Sequence, residues 1–275
     1  MNALHFLLPV LLALPSDGIR ARFLSLHAKG DVQGCAALWK EQPALALATI
    51  EKDLDEALAL RTAGKDAAKE SAKESDGKEA ALLEARALWG ARVAREALDA
   101  PMIGDLAASR AGWTERDRGH ASDAKRVHAK ALEWFDKGES KFALEAAQEA
   151  VNRSLALGDW HGAARAYETC AIAHQGTSNF EDALVAWSQA RALDRALRLD
   201  DRELACLRGA LDMCGAADRH QRGRELADEA LAVARKLGDK KAEADFLDRR
   251  ARFEVKLGLA AEAQATRREL ESLAK

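Results

Sequence analysis

Written at a period of 40 residues, the second half of this chain repeats itself. A small residue stands at Ala143, Ala183, Gly223 and Ala263. A second set is Ala131, Ala171 and Ala251, with Leu211 as the exception, and a third is Ala150, Ala190 and Ala230, with Leu270 as the exception. Turn-forming residues fall at Gly138, Ser178, Asp218 and Gly258. Between units the chain reads Leu157-Gly158-Asp159, Leu199-Asp200-Asp201 and Leu237-Gly238-Asp239. The middle junction is two residues late, which predicts one longer helix there followed by a shorter one. Each junction offers a helix-ending Gly or Asp and then an Asp able to cap the next helix.

Such a pattern has one economical physical reading. Two antiparallel helices that cross closely need small side chains at the crossing points, and alanine supplies them without glycine's helix penalty. Larger apolar residues then fill the space between neighbouring pairs: Trp134, Phe142, Tyr167, Phe180, Leu184, Trp187, Leu207, Leu226, Leu247 and Phe253. One pair cannot bury its apolar face, whereas a stack of pairs makes a continuous core. The expected fold class is therefore all-α, a helix-turn-helix repeat solenoid. Composition agrees: the strong helix formers Ala, Leu, Glu, Lys and Arg dominate. Pro9, Pro15, Pro43 and Pro101 are the four prolines, so nothing after Pro101 forbids unbroken helix pairs.

Upstream the organisation changes. Ser16 or Asp17 can cap a helix to about Ala28, which Lys29-Gly30-Asp31 breaks. A second helix carries Cys35, Leu38 and Trp39 and ends before Pro43, which suits the first turn of a third with Leu45, Ile50, Leu54, Leu58 and Leu60. Residues 64–80 contain an Ala-Lys-Glu-Ser unit twice and almost no apolar face, as a solvated helix or linker does. Leu82, Leu83, Ala87, Leu88, Val93 and Leu98 follow at helical spacing, and Asp99 to Gly104 around Pro101 reads as a loop. This divides the chain into an N-terminal helical region 1–63, a charged helix or linker with connecting helices 64–119, and the array 120–275. Leu4 to Leu14 is an apolar run with two readings, a buried first helix in a cytoplasmic protein or a signal peptide (residues 1–16) that directs export. It lacks a preceding Lys or Arg and is too short to span a bilayer.

The repeat units resemble the tetratricopeptide repeat family, in the subtype with units of roughly 40 residues. The matches are Leu237-Gly238-Asp239 with Gly258 and Glu262-Ala263, and Gly138 with Ala143-Leu144-Glu145-Ala146. About residues 120–275 are covered, four helix pairs. Lys130 stands where an apolar residue is usual, and Arg267 where an aromatic is common, so the fourth unit reads as an edge or cap. Gly112-Trp113 and Leu157-Gly158-Asp159-Trp160 further resemble bacterial arrays that precede a caspase-like protease domain, which this sequence does not contain.

The resemblance implies a protein-protein interaction scaffold rather than an enzyme, holding a protein or peptide in a concave groove lined by the first helix of each pair. Carried through the register, that face comprises Lys125, His128, Phe135, Arg165, Glu168, Gln175, Arg208, Asp212, Asp248, Arg252 and Lys256. The alternative is a regulatory arm of a larger effector such as a caspase-like protease. Arg165, Arg208 and Arg252 stand near one edge of three successive first helices, with Glu168, Asp212 and Asp248 on the same face. They suit a partner's carboxylates, or equally a row of intrahelical pairs that satisfies itself.

Other chemistry is not indicated. The net charge is −3 with the signs interspersed, unlike the basic stripe of a nucleic-acid binder. No phosphate-binding loop, dinucleotide fingerprint, zinc motif or nucleophile elbow occurs, so no cofactor, metal or catalytic residue is expected. Cys35, Cys170, Cys206 and Cys214 match no zinc spacing and read as reduced, buried thiols. His174 lies one helical turn from Cys170, but the register sends Cys170 into the helix-pair core, where a thiol is inert. Trp134 and Trp187 fall at packing positions, while Trp39, Trp89 and Trp113 lie outside the repeat.

Overall fold

The computed structural model describes residues 17–63 and 70–273. The apolar run Leu4 to Leu14 and the charged stretch 64–69 lie outside the described residues. The described residues form thirteen helices and no strand: α1 (Asp17–Ala28), α2 (Val32–Glu41), α3 (Pro43–Ala63), α4 (Glu70–Ala97), α5 (Pro101–Ala111), α6 (Glu115–Asp136), α7 (Ser140–Ala156), α8 (Trp160–Gly176), α9 (Phe180–Ala196), α10 (Asp200–Ala216), α11 (His220–Leu237), α12 (Lys240–Lys256) and α13 (Ala260–Leu273). The fold class is all-α and helical-repeat, as the spacing requires. The chain divides into two compact units. One runs to Asp123 and includes Arg153–Trp160 and Ala196–Leu199; the other holds Ala124–Asn152, His161–Arg195 and the chain from Asp200.

The first unit is built on α1 to α5. Its core brings together Phe23, Leu38, Trp39, Leu47, Ile50, Ala87, Ala91, Ile103 and Leu106. Asp31 caps α2, its carboxylate accepting the Gly34 N–H at 2.8 Å, and Pro43 opens α3. Two expectations fail here. Pro101 does not sit in a loop running to Gly104 but starts α5, because a first-turn proline lacks only an N–H that has no intrahelical partner. The apolar stripe of α4 is also shifted: Leu82 is 72% exposed and Leu88 39% exposed, while Leu83, Ala87, Ala91 and Val93 are buried. Buried ion pairs stitch the helices. Asp53 takes a bidentate pair from Arg86, both bonds at 2.6 Å, and Arg110 pairs with Glu51 at 3.1 Å. The Trp113 indole N–H donates to the Leu157 carbonyl at 2.9 Å, and Trp89 packs on Phe23.

From α6 to α13 the repeat is more regular than the sequence suggested. Left-handed residues recur every twenty positions at Gly138, Gly158, Ser178, Arg198, Asp218, Gly238 and Gly258, with φ between 54° and 79°. Each ends a helix. The N–H of the next residue reaches back five positions, as from Glu139 to Trp134 and from Asp239 to Ala234, satisfying a terminal carbonyl. The middle junction is therefore not late. Arg198, at φ 59°, takes the place of Gly158 and Gly238, and α9 and α10 are both 17 residues long. A non-glycine residue there costs about 1 kcal/mol, which packing tolerates.

The small residues sit as the crossings require: Ala143, Ala183, Ala171, Ala190 and Ala230 are fully buried. A Cβ on Gly223 would lie 2.5 Å from the Phe253 ring, which explains glycine where the other units have alanine. Trp187, Leu207, Leu226, Leu247 and Phe253 are buried as expected, and Trp134, Tyr167, Phe180 and Leu184 are half-buried. Phe142 is not core: it is 52% exposed, with its ring centroid 5.3 Å from that of Trp134. An ion pair from an exposed arginine to a buried glutamate repeats in register too, Arg195 to Glu203 and Arg235 to Glu243, each at 2.7 Å. Because Ala183 has no free space around it, Ala183→Leu is expected to overpack a crossing and cost about 1–3 kcal/mol. Gln189→Leu, on the exposed side of the same helix, is the control; coincident urea midpoints for the two variants would refute the register.

Candidate functional site

The candidate groove residues all fall in the second unit, on the first helices of the pairs: α6, α8, α10 and α12. Exposure grades along them. Lys125, Asp212, Arg252 and Lys256 are exposed, and the other seven are half-buried. The structure resolves the choice between open charges and intrahelical pairs for several of them in a third way. For these the partner lies on the neighbouring first helix. His128 on α6 shares a hydrogen bond with Thr169 on α8 at 2.9 Å. Glu168 on α8 takes Arg202 of α10 at 2.5 Å. Arg208 and Asp212 on α10 meet Asp245 and Arg249 on α12 at 3.2 Å and 2.5 Å. Asp248 and Arg252 pair within α12, as do Asp245 and Arg249. The face is thus a ladder of ion pairs linking successive first helices, with exposed charges along it. The Arg208 guanidinium also covers the Phe246 ring at 5.4 Å.

Beneath this face lies a buried polar cluster that sequence reasoning missed. Asp194, at 0% exposure, accepts a weak bond from the Cys206 thiol at 3.4 Å and stands 3.6 Å from the Arg202 Nε. Glu168 completes the set on the other side of Arg202. Two carboxyl groups therefore share one guanidinium in a poorly solvated place. Burial, then the Glu168 charge, pushes the Asp194 carboxyl up to about 7 against the pull of Arg202. Burial and the two acids hold the Cys206 thiol well above its usual value, so it keeps its proton. Burial first, then Arg165, lowers the His128 imidazole to about 4, so it is neutral at physiological pH. The oxygen and sulfur atoms of Glu168, Asp194 and Cys206 lie within 4.8 Å of one another, a metal-like grouping. The guanidinium of Arg202 already supplies the positive charge, and a protonated thiol is a poor ligand, so the group suits arginine better than a cation.

The signal that might have located these partners is a charge complement one turn short of a full repeat: both Arg208–Asp245 and Asp212–Arg249 are separated by 37 residues. Burial pushes the Cys170 thiol up to about 12, the opposite of what a nucleophilic thiolate needs. All four cysteines are free and buried. Among the described residues no helix is long and apolar enough to cross a membrane.

No protein-family model matches the chain, and no curated protein matches it. Among solved structures, it is similar to the crystal structure of BtubC (BKLC) from P. vanneervenii, with a TM-score of 0.50 and 16% identity over 93% of this chain and 91% of that one. A likeness at that identity speaks to the helical architecture alone.

Proposed function

We propose that this chain is a tetratricopeptide-type scaffold, without enzymatic activity, that binds a protein or an extended peptide along the first-helix face of its second unit. The observation that carries the reading is the ladder itself. Charges of both signs are spread along the successive first helices α8, α10 and α12 instead of converging on one reacting atom, the arrangement that suits a long ligand with alternating polar groups. The buried thiols and the neutral His128 supply no activated nucleophile, which favours recognition over catalysis. A bacterial, cytoplasmic setting and a role as regulatory arm for a larger effector are compatible with the same face, and both would use it in the same way.

The face is tested by charge reversal. Arg252 pairs only within α12 and its side chain is 75% exposed, so its loss costs the fold little. Arg165 stands at the opposite end of the ladder, next to His128. Arg165→Glu combined with Arg252→Glu is expected to abolish partner capture from native lysate, read by mass spectrometry, while the melting midpoint stays within a few degrees. Capture that survives at physiological salt would move the binding surface off the first helices.

A further inference from the structure

A cleft of about 450 Å³ opens between α7 and α9 in the second unit, floored by α8. Gln148 and Asn152 stand on its α7 wall, Gln189 on its α9 wall, and Tyr167, Cys170 and His174 on its floor. The same ground is filled in the two following repeats. Forty residues on, Arg191 occupies the counterpart of Val151 and hydrogen bonds to Glu229, the counterpart of Gln189. Eighty residues on, Arg250 occupies the counterpart of Cys170. It reaches Asp228 at 3.1 Å and Glu254 at 3.0 Å, the counterparts of Gln148 and His174. The first cleft therefore lacks both spanning arginines and the carboxylates that stand at the Gln148, His174 and Gln189 positions of the later repeats. Val151 and Cys170 replace the arginines, and two carboxamides and an imidazole replace the acids.

What remains is specific in its chemistry. The lining contains no Lys or Arg, and Asp182, at the exposed first turn of α9, is its one carboxylate. A carboxamide presents a donor and an acceptor side by side, which matches the edge of another amide. His174 adds an imidazole to the floor, whose Nδ1 is buried without a hydrogen-bond partner, so a ligand would meet the rest of the ring. Val151, Val185 and Ala186 add apolar wall beside the Tyr167 ring. The volume lies within the range of small-ligand clefts, roughly 300–1,000 Å³.

We propose that this cleft binds an uncharged molecule that presents an amide edge, the chemistry shared by a pyrimidine base and a peptide backbone. The carboxamides of Gln148, Asn152 and Gln189 and the His174 imidazole make its hydrogen bonds, and Tyr167 gives it a flat wall. The site faces the second helices, so it stands or falls apart from the scaffold reading.

Tyr167 is the only tyrosine in the chain, so full-length protein made with 3-fluorotyrosine has a single fluorine resonance, placed in this cleft. Titration with uracil and, separately, with a dipeptide blocked as its N-acetyl amide is expected to shift that resonance saturably. Saturation by uracil alone assigns a base-like ligand, and by the blocked dipeptide alone a peptide. Benzoate and benzenesulfonate, whose negative charge meets no Lys or Arg in the lining, are expected to bind about tenfold more weakly or worse. Val151→Arg with Gln189→Glu rebuilds the ion pair of the next repeat and is expected to abolish the shift while helix content is retained. Asn152→Ala, at an exposed position, is expected to weaken binding severalfold without loss of fold. No saturable shift with either uncharged probe, equal binding of the charged ones, or a shift that survives both variants would overturn the assignment.

Discussion

Replacing Arg202 with methionine is expected to cost about 3–5 kcal/mol of unfolding free energy at pH 8, because it removes the one cation shared by two buried carboxyl groups. The Arg202 side chain is 10% exposed, Glu168 is 21% exposed and Asp194 is fully buried, so solvent cannot replace the guanidinium. The loss is expected to shrink at pH 5, below the value of about 7 to which the Asp194 carboxyl is raised. Asp194→Asn in the Arg202→Met background is expected to recover part of it, since the two residues are coupled. Urea melts at both pH values read these effects, and a loss that is the same at pH 5 and pH 8 and insensitive to Asp194→Asn would show that the cluster is not electrostatic.

The sign for the unaltered protein follows from linkage. The Asp194 carboxyl is held near 7 in the fold against an ordinary 3.8, so between these values the native state binds the extra proton and stability falls as pH rises. The His128 imidazole is lowered from 6.5 to about 4, so over that window the unfolded state binds the extra proton and stability rises with pH. The two slopes oppose each other between about 4 and 6.5 and cancel in part, which leaves Asp194 unopposed only from there to about 7. Asp194→Asn is therefore expected to turn a shallow profile into one that rises with pH through the lower window.

The repeat was legible because its carriers are local. Small residues at helix crossings and left-handed residues at helix ends are each fixed by their own backbone surroundings, so Ala183 and Gly238 announce themselves. Arg198 conceals the middle junction because an arginine takes a conformation that glycine usually marks, which leaves Asp200, two residues on, as the nearest visible turn residue. The α4 stripe was misread for a different reason. In an alanine-rich helix the buried face is made of Ala87, Ala91 and Ala94, and the larger Leu82 and Leu88 are left to solvent. The register names residues for the first-helix face, but not their partners. An ion pair such as Glu168 with Arg202 depends on which helices become neighbours, and a charge pattern does not fix this until the stack is built. Asp194 was the least visible of all, since nothing in a run of charged helix residues distinguishes the one that points inward.

In the first unit the largest single loss is expected from Trp39, which no repeat register could place. Its side chain is fully buried, its ring lies 5.2 Å from that of Phe23, and its indole N–H donates to the Gly90 carbonyl on α4 at 3.3 Å. Gly90 is itself constrained, as a Cβ there would come within 2.9 Å of the Phe23 ring. The three residues form one close contact between α1, α2 and α4. Trp39→Ala empties it and is expected to cost about 3–5 kcal/mol. Trp39→Phe keeps most of the volume and loses the bond to a carbonyl that still accepts within its own helix, so about 1–2 kcal/mol is expected. Amide hydrogen exchange in α1, α2 and α4 measures the loss where it occurs, which matters in a chain of two compact units whose unfolding need not be a single step. Protection in α2 and α4 that drops equally for both variants would make the hydrogen bond, rather than the packing, the main tie. Protection unchanged by Trp39→Ala would remove Trp39 from the core altogether.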